Sequence, residues 1–301
     1  MKLLILGGTG LLGTALANNG LQRGWDVIRS GSRSGDVICD IRKLDQLETL
    51  LYDINPNVLI NAAAIVELSA CENDPDLAYS VNTHPVKHMA AWSQANNRKF
   101  LQISTDHFFL GDGPAAHPES AKVALVNEYA RSKFAAEALA ANDPKSLILR
   151  TTFVGISPDI KKPSFYDWVM NSLADQTAMT LFSDAYFSPI EVRDLAEAIF
   201  DLIHKDICGV LNVAGREVVS KDQFIRAIAQ HTGHSLEGSN VGSVASLSPT
   251  RGDSLGLDVT KAQSILGRRL PDLKQTINKL FSGEKCTRSP QFFSNTTGKN
   301  P

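Results

Sequence analysis

Two residues near the middle of the chain have the types and spacing of an acid–base pair. Tyr129 and Lys133 are four positions apart, so on an α-helix both side chains lie on one face. A tyrosine can give its proton to the alkoxide that forms as hydride reaches a ketone, although its unperturbed pKa is about 10. A neighbouring ammonium favours the phenolate, so we expect Lys133 to bring the pKa of Tyr129 closer to neutrality. The pair is typical of a carbonyl reductase, in which Lys133 also holds a nicotinamide ribose.

A third polar group is expected where an apolar strand ends just upstream. The strand predicted over Phe100–Ser104 is followed by Thr105 and Asp106, and ligands in open α/β sheets lie beyond the carboxyl ends of the strands. Either Ser104 or Thr105 is placed to hydrogen-bond a carbonyl oxygen, and we favour Thr105. The predicted catalytic residues are Thr105, Tyr129 and Lys133.

A glycine-rich turn with the spacing G-x-x-G-x-x-G follows the first predicted strand, Lys2–Leu6, and opens the first helix. Glycines allow a pyrophosphate to approach the backbone closely. The helix N-terminus supplies free N–H groups and the positive end of the helix dipole. The turn predicts a dinucleotide site whose phosphate-binding residues are Gly7, Thr9, Gly10, Leu11, Leu12 and Gly13.

The end of the second predicted strand indicates which dinucleotide is bound. An NAD site usually has an acidic residue there for the ribose hydroxyls, but this chain has Arg29 and Arg33 and no acid before Asp36. A guanidinium suits a 2′-phosphate, so we expect NADP, with Arg33 as the better candidate and NAD as the alternative. Further cofactor contacts are predicted at Asp40, Ile41, Ala62, Ala63 and Ala64.

The surrounding elements alternate between strand and helix patterns over the first half of the chain. This alternation predicts an α/β fold with a doubly wound parallel sheet. We expect residues 1–150 to form a Rossmann-like cofactor domain, residues 190–215 to return to it, residues 151–281 to form a smaller substrate-binding part, and residues 282–301 to form a flexible tail. One long helix is predicted over Leu77–Gln94, with Asn82 tying it to the strand predicted over Phe100–Ser104. The capping-box spacing at Ser220–Gln223 and at Thr260–Gln263 predicts two further helix starts, and Asp194 is predicted to cap another helix.

Composition excludes several other classes of protein. The 301 residues carry a net charge of −2, which gives no basic surface for nucleic acid. The four cysteines contain no C-x-x-C pair, so we expect reduced thiols, a cytoplasmic location and no zinc. The apolar run at the N-terminus is too short for a signal peptide, and no segment is long enough to span a membrane.

These motifs together resemble the extended short-chain dehydrogenase/reductases, and among them the dTDP-4-dehydrorhamnose reductase family. The similarity spans nearly the whole chain and is most specific in Ser104–Asp106 and in the Asn-x-Tyr-x-x-Ser-Lys motif of Asn127–Lys133. It implies that Thr105, Tyr129 and Lys133 reduce a 4-keto nucleotide sugar with NADPH or NADH. It also implies that Arg251 lies on the substrate side, and homodimers are common among such folds.

The departures from the family pattern fall where the substrate is expected. His107 stands where the family has Tyr, Phe153 where it has Trp, and Gly252 where a Pro follows the late Arg. The predicted substrate contacts are Ser104, His107, Phe153 and Arg251. Two alternatives stay open: a nucleotide-sugar epimerase or dehydratase on the same fold, and a non-catalytic regulatory subunit. The resemblance extends to one such subunit, the β subunit of methionine adenosyltransferase.

Overall fold

Seven parallel strands form the central sheet of the computed structural model, which describes residues 1–282. In chain order they are β1 (Lys2–Leu6), β2 (Asp26–Gly31), β3 (Val37–Ile38), β4 (Val58–Asn61), β5 (Lys99–Ile103), β6 (Leu147–Arg150) and β11 (Gly209–Asn212). Their order across the sheet is β11-β6-β5-β4-β1-β2-β3, and every pairing is parallel. The doubly wound parallel sheet predicted from the sequence is therefore confirmed.

Eleven α-helices accompany this sheet within the described residues. They are α1 (Leu11–Gln22), α2 (Leu44–Ile54), α3 (Leu68–Asn73), α4 (Pro75–Asn82), α5 (His84–Asn96), α6 (Glu128–Ala140), α7 (Phe165–Ala174), α8 (Val192–Ile203), α9 (Lys221–Thr232), α10 (Thr260–Leu266) and α11 (Leu273–Ser282). Short strands in the second half are β7 (Phe153–Val154), β8 (Thr180–Phe182), β9 (Tyr186–Phe187), β10 (Ile190–Glu191), β12 (Val219–Ser220), β13 (Asn240–Gly242) and β14 (Ser254–Leu255).

Both faces of the central sheet are covered, which explains why its strands are continuous apolar runs. On one face α1 packs against α8, and the ring of Trp25 meets that of Phe200 edge-on at 4.9 Å between centroids. On the other face α2, α5 and α6 pack around residues such as Met89 and Phe100. Strand β11 and helix α8 thus join the second half of the chain to the sheet.

A separate apolar core lies in the second half. It is built by α7, α9 and α11 with β8 and β9, around buried Tyr166, Phe187 and Phe224. Three small sheets complete this part, formed by β7 with β10, by β9 with β12 and β14, and by β8 with β13. The division of the chain into a cofactor-binding part and a substrate-binding part stays a prediction.

The single long helix predicted over Leu77–Gln94 is wrong. The helical path is interrupted at Thr83, where α4 ends and α5 begins, because Pro85 in the first turn of α5 has no N–H for an intrahelical bond. Asn82 does not bind the strand predicted over Phe100–Ser104, which is β5 in the structure. Its side-chain oxygen instead accepts from the N–H of Ile65, and its amide donates to the carbonyl of Ile65 and to the hydroxyl of Ser132 on α6. The residue is structural, but it fixes the loop after β4.

Two helix starts also differ from the sequence pattern. The capping box predicted at Thr260 does not form, because Val259 is the N-cap of α10 and makes no side-chain cap bond. Asp194 was expected to cap α8, but Glu191 accepts the N-terminal bond, and Asp194 pairs with Lys279 at 3.2 Å. The box predicted at Ser220 is present at α9.

Residues 1–282 contain neither of two features that would change the class of the protein. No helix in that range has the length and apolar character needed to cross a membrane. No three His, Cys, Asp or Glu side chains in it gather as a metal site would require. The predicted tail at residues 282–301 lies outside the described residues, apart from Ser282.

Candidate active site

The glycine turn between β1 and α1 is too tightly packed for larger residues. Gly7 has φ +75°, and a Cβ added there would lie 2.7 Å from the backbone N of Ala63. At Gly13 an added Cβ would lie 2.2 Å from the carbonyl oxygen of Gly7. Gly10 is the N-cap of α1 and covers the helix end with no side chain. The first N–H groups of α1, at Leu11 and Leu12, therefore face an open approach that suits a pyrophosphate.

The end of β2 leaves one of its two arginines free for a cofactor. Arg29 is bound to Asp36, with 2.8 Å between guanidinium and carboxylate, and this contact lowers the pKa of Asp36. Arg33 is exposed and has no ion pair among the described residues. Asp40 pairs with Arg42 at 2.6 Å.

The remaining predicted cofactor residues follow β3 and β4. Ile41 is buried against the sheet, while Ala62, Ala63 and Ala64 are half-buried. Asn61 is structural, because its amide donates to Gln102 at 2.9 Å and its oxygen accepts from Ala63 at 3.2 Å. The backbone of Ala62 and Ala63 packs directly against Gly7, and their side chains are small, so the residues present fit a dinucleotide.

Thr105, Tyr129 and Lys133 are brought together at the carboxyl end of β5. Thr105 directly follows that strand, and Tyr129 and Lys133 share the face of α6 that packs on the sheet. The Lys133 ammonium donates to the carbonyl of Ile103 at 2.7 Å. Asn127 caps α6 by accepting from the N–H of Ala130 at 2.8 Å, which fixes the first turn that carries Tyr129.

The electrostatics differ from the sequence expectation in one respect. Burial raises the pKa of Tyr129, and a hydrogen bond with Thr105 only partly opposes this. Burial also lowers the pKa of Lys133 to about 8, against the effect of Glu137. The expected lowering of the Tyr129 pKa by Lys133 is not found, because desolvation of the phenolate outweighs the other contributions.

The sequence and the fold were next compared with known proteins. The family described as RmlD substrate binding domain matches residues 1–285 of the 301. The chain belongs to this family. A probable low-salt glycan biosynthesis reductase, Agl14, of Haloferax volcanii is 28% identical over 93% of this chain and 97% of its own length. The dTDP-4-dehydrorhamnose reductase of Mycobacterium tuberculosis is 29% identical over 77% of this chain and 76% of its own.

The same architecture is present in a solved structure. The dTDP-4-dehydrorhamnose reductase of Bacillus anthracis, crystallised in complex with NADP, superposes with a TM-score of 0.83. It is 24% identical, and the match covers 93% of this chain and 97% of that one. At this identity the likeness establishes the extended short-chain dehydrogenase/reductase fold and leaves the substrate open.

The predicted substrate contact at Ser104 has another partner in this RmlD-family chain. Its hydroxyl donates to Glu137 at 2.6 Å, and Glu137 in turn pairs with Arg150 at 2.8 Å. All three side chains are buried. This cluster binds α6 to the ends of β5 and β6, so it favours a structural role for Ser104.

His107 lies beside Tyr129, and its contact with substrate stays a prediction. Its ring meets Tyr129 edge-on at 5.4 Å between centroids, and its Nε2 is 3.9 Å from an oxygen of Asp106. Its Nδ1 is buried and has no hydrogen-bond partner. Burial lowers the pKa of His107, so the neutral ring is favoured at neutral pH.

The other two predicted substrate residues are less enclosed. Phe153 is half-buried on β7 and packs on the core beside the central sheet. Arg251 is exposed, and its positive charge lowers the pKa of His107. Its segment is held to α6, because the Asn127 amide donates to the carbonyl of Thr250 at 3.0 Å.

Sequence reasoning missed Lys221 as a residue of this region. Lys221 is the first residue of α9. Its positive charge opposes the rise that burial causes in the pKa of Asp106, the residue after Thr105. The capping-box pattern around Ser220 predicted where α9 begins. Nothing in that local pattern indicated that the beginning of α9 faces the end of β5.

Proposed function

We propose that this protein is an NAD(P)H-dependent reductase of a 4-keto nucleotide sugar. The single observation that carries the proposal is the buried set Thr105, Tyr129 and Lys133, which lies at the carboxyl end of the sheet beside a glycine turn with room for pyrophosphate. The reductases among the sequence relatives support the same reaction class. Apart from Ser104, whose hydroxyl donates to Glu137, we propose the remaining site residues as cofactor and substrate contacts, in the roles given above.

The residues of this chain divide the work of the reaction. The turn of Gly7–Gly13 binds the pyrophosphate, and Lys133 holds the nicotinamide ribose. When bound, the reduced nicotinamide supplies the hydride to the carbonyl carbon. Thr105 orients the carbonyl oxygen, and the hydroxyl of Tyr129 gives that oxygen its proton.

NADP is the proposed cofactor, with NAD as the alternative. The guanidinium of Arg33, which has no ion pair within residues 1–282 and lies just after β2, favours a cofactor with a 2′-phosphate. A protein of the same fold was crystallised with NADP. We also propose a cytoplasmic location and a homodimer. The free thiols of Cys39, Cys71 and Cys208 suit a reducing compartment.

The test is oxidation of NADPH or NADH, followed by absorbance, with a panel of nucleotide-linked 4-keto sugars. We expect turnover with one of these sugars, faster with NADPH. We expect Tyr129→Phe to lower kcat by about 100- to 10,000-fold, the usual contribution of a positioned proton donor. Tyr52→Phe is the matched control, because Tyr52 is 82% exposed on α2.

Other results would select the alternatives. Binding of NADPH without turnover of any sugar would favour the regulatory subunit, for which the altered wall at His107 and Phe153 is the supporting observation. Tightly held NAD that is recycled without net oxidation would favour the epimerase or dehydratase. Equal rates for Tyr129→Phe and the parent protein would overturn the catalytic assignment.

A further inference from the structure

A cavity of about 290 Å³ lies in the second half of the chain, between the carboxyl ends of α7 and α9. None of its lining residues belongs to the cofactor or substrate contacts assigned above. The lining consists of the end of α7 and the segments that follow α7 and α9, namely Ser172, Leu173, Gln176, Thr177, Met179, His234, Ser235, Glu237 and Ser239.

The length of α9 separates this cavity from the catalytic residues. The helix begins at Lys221, whose charge acts on Asp106, and ends at Thr232, just before His234. It has 12 residues, which span about 18 Å. A small ligand in the cavity therefore lies at the far end of α9 from the catalytic set, so the cavity is a separate place for binding.

The floor of the cavity is apolar except for one hydroxyl group. Leu173 and Met179 are each 2% exposed, and Ser172 is 8% exposed. The hydroxyl of Ser172 lines the cavity and makes no hydrogen bond within residues 1–282. A buried hydroxyl without a partner is unfavourable. It therefore favours a ligand or water that supplies the missing hydrogen bond from inside the cavity.

The rim of the cavity carries both donors and acceptors. Gln176 supplies an amide, His234 an imidazole and Glu237 a carboxylate. Among the residues that the structure describes, none of these three side chains has a hydrogen bond or an ion pair. The carboxyl ends of α7 and α9 add the negative ends of two helix dipoles. The rim therefore suits a ligand with several hydroxyl groups and disfavours an anion.

The backbone at Gln176 is unusual for its residue type. Gln176 follows Asp175, the C-cap of α7, and has φ +53°. This left-handed position at a helix end is usually occupied by glycine or asparagine, because other side chains are disfavoured there. Residues in such conformations cluster where ligands are held, which agrees with a use of the Gln176 amide at the rim.

We propose that this cavity binds one uncharged sugar ring, with Ser172, Gln176 and Glu237 as its hydrogen-bond partners. A pyranose has C–H faces that pack on an apolar floor and hydroxyl groups that both donate and accept. Small-ligand sites have volumes from about 300 Å³ upward, so the cavity suits a single ring. Two sources share this chemistry: a free monosaccharide and the terminal unit of a glycan.

The experiment follows the methionine methyl signals by NMR while glucose, rhamnose, maltose or glucose 6-phosphate is added to the full chain. The sequence has 4 methionines. Met179 lines the cavity, whereas Met89 lies in the core beside the central sheet and is the internal reference. We expect glucose and rhamnose to shift the Met179 signal with a dissociation constant on the order of 1 mM. Met89 should not respond, and glucose 6-phosphate should shift neither signal.

Maltose separates the two sources of the ring. Affinity equal to that of glucose would show that the cavity accepts the end of a glycan, whereas loss of affinity would assign it to a free monosaccharide.

Two variants remove single partners of the sugar without disturbing the fold. Gln176→Gly suits the left-handed backbone, and Ser172→Ala removes only the unpartnered hydroxyl. Each should weaken glucose about three- to tenfold with unchanged Tm. Asn97→Gly is the matched control, because Asn97 is the left-handed C-cap of α5 with φ +51° and should leave glucose affinity unchanged.

Three results would overturn the site. One is an unshifted Met179 signal with both glucose and rhamnose at about 100 mM, on the order of a hundred times the expected dissociation constant. The others are equal binding of glucose 6-phosphate and unchanged glucose affinity in both variants. Because Met179 is remote from the catalytic helix, none of these results depends on whether the protein reduces a keto sugar.

Discussion

At the scale of single residues, burial decides how the catalytic groups ionise. Tyr129 and Lys133 are both buried on the inner face of α6, and burial penalises the charged form of each. It raises the pKa of the tyrosine and lowers that of the lysine. The charged form of Lys133, to which we assign the binding of the nicotinamide ribose, is therefore available only over a limited pH range.

The pKa of Lys133, about 8, predicts how activity depends on pH. The ammonium is charged below that value, so we expect kcat/KM to fall as pH rises through about 8. The unfolded lysine titrates near 10.4 and binds more protons than the folded one between these values. Its contribution to folding stability should therefore increase from about pH 8 to pH 10.

The measurement is kcat/KM from pH 6 to pH 10 for the parent protein and for Lys133→Met. The variant should be far less active and should lack the decline near pH 8. If kcat/KM of the parent protein instead shows no decline between pH 7 and pH 9, the charge of the Lys133 ammonium is not required for the reaction.

Two glycines of the phosphate turn should respond differently to alanine. At Gly13 the new Cβ would lie 2.2 Å from a backbone oxygen, so we expect Gly13→Ala to destabilise the fold by about 1–3 kcal/mol. At Gly10 the nearest atom is 3.4 Å away, so Gly10→Ala should change stability by less than about 0.5 kcal/mol. Gly10→Ala should still weaken NADP binding at least tenfold, because the added methyl group would lie where the pyrophosphate approaches the backbone.

Urea denaturation and NADP titration separate these two effects. A Gly10→Ala protein that binds NADP normally would place the pyrophosphate elsewhere. If Gly13→Ala leaves the free energy of unfolding unchanged, α1 can move away from β1 to accommodate the methyl group.

At the scale of elements, a buried ion pair fixes α6 to the sheet. Glu137 and Arg150 are each only 5% exposed in their side chains, and Ser104 completes the cluster. Because α6 also carries Tyr129 and Lys133, the cluster positions the catalytic helix against the strand ends.

Removing one partner of this pair should be strongly destabilising. Glu137→Gln leaves the guanidinium of Arg150 buried without a counter-charge, which we expect to cost about 3–5 kcal/mol of unfolding free energy. The contrast is Arg131→Ala, whose partner is Glu128 on the same helix and whose side chain is 42% exposed. That loss should stay below about 1 kcal/mol. Similar losses for the two variants in urea denaturation would refute the structural role of the buried pair.

At the scale of the whole molecule, the two halves of the chain share one sheet. Strand β11 pairs with β6 along its full length, and α8 covers the face of α1 that carries Leu16. The cofactor site in the first half is therefore supported by residues from the second half.

This arrangement predicts that residues 1–150 do not fold alone. Without α8 and β11, the fragment would expose the apolar face of α1 and an unpaired edge of β6. We expect circular dichroism of the fragment to show no cooperative thermal transition and no binding of NADP. A sharp transition with the NADP affinity of the full chain would show that the first half is an independent domain.

Local patterns in the sequence determined the parallel sheet, the glycine turn and the face shared by Tyr129 and Lys133. Each depends on neighbours a few positions apart, so periodicity and spacing are sufficient to predict it. The break at Thr83 was also encoded locally, by Pro85, although the apolar periodicity obscured it. The start of α9 was predicted because the capping-box spacing at Ser220 is also a local pattern.

Only the tertiary structure decided which distant residues meet. It placed Lys221 near Asp106 and Arg251 near His107, committed the Ser104 hydroxyl to Glu137, and buried Tyr129 deeply enough to raise its pKa. These outcomes depend on how α9, β14 and α6 pack around the strand ends. Packing joins residues that are far apart in the chain, and burial sets their charges, so no local pattern could have predicted them.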